Sequence, residues 1–122
     1  GIPSYGYNWP TIVVGDCPAD APGRTSINPG TLDDLIARRN IEPVADALTG
    51  EWSASYELEI DDGVLSCVQT RQLHWVDADG VALRVEMARR AGIRGVALWA
   101  LGYEDDDVWN ALVSSATKDL AP

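Results

Sequence analysis

Positive charge is scarce in this chain of 122 residues. Nine lysines and arginines stand against 19 aspartates and glutamates, which gives a formal net charge of −10. A field of that sign repels nucleic-acid phosphates and anionic lipid headgroups. Long hydrophobic runs are also missing, since none approaches the roughly 18 residues of a membrane span. We therefore expect neither nucleic acid nor a membrane among the partners of this chain.

Catalytic and metal-ligating residues are few as well. His74 is the only histidine, and it has no cysteine or acidic neighbour at metal-ligand spacing. No serine lies in a Gly-x-Ser-x-Gly elbow, and one distant histidine does not support a serine triad. We predict no metal and no cofactor, and we assign His74 a structural role.

The two cysteines, Cys17 and Cys67, lie far apart in the sequence, in a predicted loop and a predicted strand. Such a pair is often bridged in a secreted protein and usually unpaired in a cytosolic one, so the sequence leaves the disulfide open. No signal peptide precedes Gly1, and the chain begins without methionine. We expect a processed or excised product.

What the chain does have is a globular composition, with 46% hydrophobic and 23% charged residues. Its length suits one domain but falls short of the roughly 200 residues of a complete (β/α)8 barrel. The most informative stretch is 95–105, an uninterrupted apolar run that passes Trp99 and ends in acids. It predicts a strand buried on both sides, between two helices, as in parallel α/β architecture.

The other segments predict a mixture of helices and antiparallel strands. Residues 1–10 predict a short strand followed by an aromatic-rich turn, and the proline-rich segment 15–30 predicts a surface loop. Three further elements are predicted: a helix over 32–40 capped by Thr31, a hairpin of strands 54–60 and 64–76 that is interrupted or continuous near Thr70, and a helix from Asp77 or Asp79 to Ala91.

A last helix is predicted after the acids 104–107, which suit its positive end. Its inward side chains are predicted to be Val108, Trp109, Leu112 and Val113. We interpret the acids as helix caps rather than as a sugar-binding group.

Two motifs, in order, resemble the C-terminal part of a glycoside hydrolase family 18 catalytic domain, of the bacterial chitinase-like and cell-wall-lytic kind. Residues 1–6 (Gly-Ile-Pro-Ser-Tyr-Gly) match the end of that family's seventh barrel strand. Residues 74–77 (His-Trp-Val-Asp) and 92–99 (Gly-Ile-Arg-Gly-Val-Ala-Leu-Trp) match the approach to its eighth strand and that strand itself. The match covers nearly the whole chain.

The resemblance implies an α/β to α+β fold in three parts. Residues 1–10 would be barrel strand seven and its loop, 11–76 a small antiparallel α+β insertion, and 77–122 a helix, barrel strand eight and the C-terminal helix. It also implies hydrolysis of β-1,4-linked N-acetylated glycans, chitin or peptidoglycan, in which the acetamido group of the substrate attacks the anomeric carbon. A secreted or cell-envelope location in a bacterium follows.

The catalytic acid of the family lies in an Asp-x-x-Asp-x-Asp-x-Glu run, which this sequence lacks. In the nearest acidic cluster, 57–62, acidic residues alternate with apolar ones, which is typical of a hairpin strand with one solvent-exposed face. We therefore predict no catalytic residue here, and an isolated chain without hydrolytic activity.

Trp99 matches the tryptophan that floors the sugar beside the cleaved bond, although a core position is the competing interpretation. Tyr5, Tyr7 and Trp9 either line the same cleft or pack the insertion onto the barrel. Trp52 and Tyr56 either extend the cleft wall or form cross-strand pairs.

Two other functions stay open from the sequence. The chain is either a stand-alone, non-catalytic glycan- or protein-binding module, or an excised domain that self-associates. An excised domain would have exposed strand edges. The remainder of the barrel would pair with these edges in a longer protein, and a second copy of the chain would pair with them otherwise.

Overall fold

The computed structural model describes residues 1–117 and shows seven strands and three helices in that range. Two strands, β1 (Ile2–Pro3) and β7 (Leu98–Trp99), form a small parallel sheet in which Ile2 pairs with Leu98 and Pro3 with Trp99. The other five form an antiparallel sheet in the order β3-β2-β6-β5-β4. The fold is therefore a mixed α+β arrangement, as the sequence predicts at this coarser level.

The large sheet is built around a long hairpin. Its strands are β5 (Glu51–Asp61) and β6 (Ser66–Val76), which pair in continuous register through Thr70. In the connecting turn the Asp62 carboxylate accepts hydrogen bonds from the backbone N–H groups of Val64 and Leu65. The predicted hairpin is confirmed, and the interruption near Thr70 is absent.

The aromatic turn predicted within residues 1–10 is wrong. After β1 the chain enters the ten-residue strand β2 (Gly6–Gly15), which pairs with β6 along its length and with β3 (Thr25–Ile27) at its start. Its Gly and Pro residues favour a turn, but the β6 backbone supplies hydrogen-bond partners that override this local preference. The pairing register shifts between Pro10 and Ile12. The boundary predicted at residue 10 falls inside this strand.

Helix α1 (Pro29–Arg39) begins earlier than predicted. Its N-cap is Asn28, whose side chain accepts a hydrogen bond from the Thr31 N–H, with Pro29 in the first helical position. The cap predicted at Thr31 is therefore wrong, because an Asn followed by Pro supplies both the cap and the fixed φ one turn sooner. The predicted loop 15–30 also contains β3 and the start of this helix.

One face of the large sheet packs on α1. Ile27, Leu32, Ala54 and Leu73 are buried there, and Leu73 is fully inaccessible. The edge strand β4 (Val44–Asp46) completes the sheet beside β5. The opposite face of β2 and β6 carries Tyr7, Trp9 and His74, which are half-buried.

A second core joins the small sheet to helices α2 (Ala78–Arg90) and α3 (Asp106–Thr117). Its buried members are Ile2, Val81, Val85 and Val108. Asp77 caps α2 by accepting a hydrogen bond from the Gly80 N–H, which selects Asp77 over Asp79. Asp105 likewise caps α3 through the Val108 N–H, in agreement with the predicted capping role of these acids.

Two burial predictions for this region are wrong. The strand expected from Gly95 has only two residues, and Val96 is exposed. Trp99 is 71% exposed, which contradicts the competing interpretation of this residue as a core position. On α3, Trp109 and Val113 are also exposed, by 42% and 59%. Within residues 1–117, β7 has a single strand neighbour, β1, so no strand covers its other side.

Cys17 and Cys67 are joined by a disulfide that links the segment after β2 to the start of β6. The bridge spans a sequence separation of 50 residues. Restricting a loop of that length in the unfolded chain stabilises the fold by about 4 kcal/mol in the chain-entropy description. The disulfide also fixes one end of the segment 16–24, which borders the site described next.

Candidate sugar-binding cleft

The carboxyl end of β7 opens into a cleft of about 630 Å³ between the two sheets. Three of the aromatic residues singled out in the sequence, Tyr5, Tyr7 and Trp99, line it. Tyr103 adds a fourth ring that the sequence analysis missed. A volume in this range is typical of small-molecule sites.

Trp99 is held at the cleft by the pairing of β1 with β7. The Ser4 N–H donates a hydrogen bond to the Trp99 carbonyl at 2.8 Å, and the Ser4 hydroxyl donates to the Ala100 carbonyl at 2.6 Å. Ser4 is itself buried. The Trp99–Ala100 peptide bond is cis. The two hydrogen bonds from Ser4 hold the backbone of Trp99 and Ala100 in place, while the indole ring is exposed to solvent.

Tyr5 and Tyr7 form an edge-to-face pair with ring centroids 5.4 Å apart, and their hydroxyl oxygens lie 3.4 Å from each other. The hydrogen bond from Tyr5, helped by the guanidinium of Arg24, lowers the pKa of the Tyr7 hydroxyl. The same contact raises the pKa of Tyr5. The cleft wall therefore combines two hydroxyl groups with apolar rings, a combination that suits a sugar.

Arg24 is the second residue that sequence reasoning missed. Its guanidinium lies over the Tyr7 ring, 4.4 Å from the ring centroid, and forms part of the cleft wall. The only sequence signal was a single arginine in a proline-rich loop of a strongly acidic chain.

Trp9 does not reach the main cleft. It lies further along β2, where its ring stacks on the ring of His74 with centroids 5.3 Å apart. Trp9 also borders a smaller pocket, which it shares with Tyr7 and Arg24. His74 also approaches a carboxylate oxygen of Glu51 at 3.7 Å. The structural role assigned to His74 fits these contacts.

Trp52 and Tyr56 were predicted either to extend the cleft wall or to form cross-strand pairs, and the structure places them in packing contacts away from the cleft. Trp52 stacks on Trp75 with centroids 6.3 Å apart and donates its indole N–H to Asp77 at 2.7 Å. The Tyr56 hydroxyl accepts a hydrogen bond from the Asn8 amide. Neither residue lines the cleft.

Acidic and metal-binding chemistry is absent from the described part of the cleft. No group of three or more His, Cys, Asp or Glu residues able to hold a metal ion occurs among residues 1–117. A hydrogen bond from its own backbone N–H lowers the pKa of the nearby Glu104 carboxyl group, and hydrogen bonds from the N–H groups of Gly102 and Tyr103 lower it further. No helix in the same range is long and apolar enough to cross a membrane.

Comparisons with known proteins point to one group of enzymes. No family model matches the sequence. An uncharacterized glycosylase of Bacillus subtilis, YvbX, is 25% identical over 113 residues, which cover 92% of this chain and 28% of that protein. The chain therefore spans less than a third of this curated relative.

Solved structures agree. A chitinase from Chromobacterium violaceum superposes with a TM-score of 0.70 at 29% identity, over 96% of this chain and 32% of the chitinase. The spore cortex-lytic enzyme SleL of Bacillus megaterium shares the fold, with a TM-score of 0.63 at 18% identity, over 93% of this chain and 24% of the enzyme. The resemblance drawn from the motifs is thereby confirmed: the chain corresponds to the C-terminal part of a glycoside hydrolase family 18-like, chitinase-like domain.

Proposed function

We propose that this chain forms the aromatic wall of the sugar cleft in a family 18-like glycoside hydrolase acting on β-1,4-linked N-acetylated glycans, chitin or peptidoglycan. The observation that carries the proposal is the exposed ring of Trp99, which shares one cleft with Tyr5 and Tyr7. The three residues bring aromatic rings and polar groups together in one concave surface, which is the composition typical of ligand sites. The names of the similar proteins, a chitinase and a cortex-lytic enzyme, support the same substrate class.

The chain's residues would bind and orient the sugar rather than cleave it. The flat face of Trp99 suits the C–H face of a pyranose, while the Tyr5 and Tyr7 hydroxyls offer hydrogen bonds to its polar groups. Trp9 would extend the wall along β2. In the mechanism that the family resemblance implies, the 2-acetamido oxygen of the substrate attacks the anomeric carbon and a carboxylic acid protonates the leaving oxygen. The sequence contains no Asp-x-x-Asp-x-Asp-x-Glu run to provide that acid.

We also propose the three-part organisation that the resemblance implies. The parallel pair β1 and β7 would be strands seven and eight of a barrel, with 1–10 and 77–122 as barrel segments and 11–76 as the insertion. The direct parallel pairing of strands so far apart in sequence supports this assignment. Action on chitin or a cell wall would place the enzyme outside the cell or in its envelope.

The first prediction is binding without turnover. The chain should bind N-acetylglucosamine oligomers, because the aromatic wall is present, and should release no product from them, because the acid is missing. Isothermal titration measures the binding and chromatography of the incubated oligomers measures the products. Turnover that survives repurification would show a catalytic acid in the chain, and a complete lack of binding would overturn the cleft assignment.

The second prediction concerns the edges of β1 and β7 that have no strand partner among residues 1–117. Their free backbone N–H and C=O groups would pair with further barrel strands in a longer protein, or with a second copy of this chain when it is alone. Sedimentation velocity over a range of concentrations should therefore show association. A strictly monomeric chain at every concentration would rule out the second copy as the occupant of these edges.

A further inference from the structure

We infer that the cleft selects a glycan that carries a carboxylate, such as the lactyl ether of N-acetylmuramic acid, and that Arg24 reads this group. The inference rests on the proposed glycan-binding function of the same cleft. It goes beyond that function because it chooses between a neutral chitin chain and an acidic peptidoglycan strand.

The charge of the cleft wall is the first argument. Within residues 1–117, the wall is made of ten residues, among which Arg24 is the only charged one: Tyr5, Tyr7, Arg24, Thr25, Ser26, Ile27, Asn28, Trp99, Ala100 and Tyr103. In a chain with 19 acidic and nine basic residues, a wall with one cation and no anion departs from the surrounding surface. The wall therefore offers an anion one cationic partner, and the nearby Glu104 carboxylate already accepts hydrogen bonds from the N–H groups of Gly102 and Tyr103.

The state of the Arg24 side chain is the second argument. It is exposed, and no carboxylate of the described residues lies within ion-pair distance of it. Its contact is with Tyr7, whose ring supports the guanidinium from one side. A guanidinium carries five N–H donors in a fixed fork, and this fork can bind a carboxylate through two parallel hydrogen bonds.

The fold fixes the backbone on both sides of Arg24. The buried guanidinium of Arg71 donates hydrogen bonds to the carbonyls of Pro22 and Gly23 at 2.7 and 2.8 Å. On the other side, Thr25 pairs with Asn8 across β3 and β2. A loop residue anchored by its neighbours in this way is preorganised, so a bound carboxylate need not order it.

The chemistry of the candidate glycans completes the argument. N-acetylglucosamine is neutral, whereas the lactyl group of N-acetylmuramic acid is an ionised carboxylate at neutral pH. A neutral sugar would leave Arg24 unused, and an acidic one would give it a charged partner at the edge of the cleft. Because the pair would be partly exposed, we expect a preference of roughly three- to tenfold in affinity.

The test compares two probes of equal length by isothermal titration: the N-acetylglucosamine tetramer and a peptide-free tetrasaccharide of alternating N-acetylglucosamine and N-acetylmuramic acid. The wild-type chain should bind the acidic probe roughly three- to tenfold more tightly. Arg24→Gln should abolish the preference, so that the two affinities become equal. Arg24→Lys should restore part of it, because a lysine keeps the charge without the fork of donors.

Arg94→Gln is the matched control, because it removes the same charge from an exposed residue that does not line the cleft. It should keep the preference, and added salt should reduce the preference in the wild type. The inference is overturned if the wild type binds both probes equally or if Arg24→Gln keeps the preference. Failure of the proposed function would look different, since neither probe would then bind.

Discussion

Replacing Arg71 with methionine should lower the free energy of unfolding of this chain by about 3–5 kcal/mol, because several buried acceptors lose their donor. Arg71 is only 2% exposed, and among residues 1–117 it has no acidic partner. Its charge is instead surrounded by neutral oxygen atoms. A methionine of similar length would fill the space but donate no hydrogen bond.

The cost comes from the acceptors that Arg71 serves. Its Nε donates to the Asn8 side-chain oxygen at 2.7 Å, and its two terminal nitrogens donate to the Gln69 side chain and to the carbonyls of Asn8, Pro22 and Gly23. Each buried acceptor that loses its donor costs roughly 1–3 kcal/mol, and water recovers part of that loss near the exposed loop.

Urea unfolding with the disulfide intact measures the effect. Arg71→Lys should lie between methionine and the wild type, since an ammonium keeps the charge but carries fewer donors. Arg94→Met should change stability by less than about 0.5 kcal/mol, as expected of an exposed residue. A loss below about 1 kcal/mol for Arg71→Met would contradict the anchoring role of this network.

Replacing Trp99 with alanine should weaken binding of N-acetylglucosamine oligomers by roughly 30-fold, or about 2 kcal/mol, the effect expected of an aromatic anchor at the centre of a binding site. The substitution should hardly affect folding, because the ring is 71% exposed. Isothermal titration of the purified variant measures the affinity.

Trp109→Ala is the matched control for this substitution. Trp109 is also an exposed tryptophan, but it lies on α3 and does not line the cleft. Its variant should bind as the wild type does. Equal losses in the two variants would mean that tryptophan content, rather than the cleft, governs binding.

The sequence predicts those elements whose signals all lie within the element and its adjoining turn or cap. The β5–β6 hairpin follows from alternating strands around the Asp-Asp-Gly turn, and α2 follows from its cap and its apolar stripe. The strand at Gly95 fails for the opposite reason. Its apolar run favours burial, but a strand is buried only when other elements cover it. Among the described residues, β7 has one strand neighbour, the two-residue strand β1.

The candidate site divides in the same way. The family resemblance predicts that Tyr5 and Trp99 lie on neighbouring strands. In the structure β1 pairs with β7, and both residues line one cleft. Arg24 escapes prediction because its position depends on Arg71, 48 and 49 residues beyond the two carbonyls it holds. Such a contact leaves no local pattern. The start of α1 shows a smaller failure, since Asn28 and Pro29 carried a capping signal that the prediction placed three residues too late.

The most direct test of the central claim, that Trp99 binds an N-acetylated sugar, is a titration of the wild-type chain with the N-acetylglucosamine tetramer, observed through the indole N–H resonances of its five tryptophans. The Trp99 resonance should shift in a saturable manner. The Trp52 resonance should stay in place, because its N–H is already donated to Asp77 away from the cleft. A Trp99 resonance that does not move while another tryptophan responds would contradict the account.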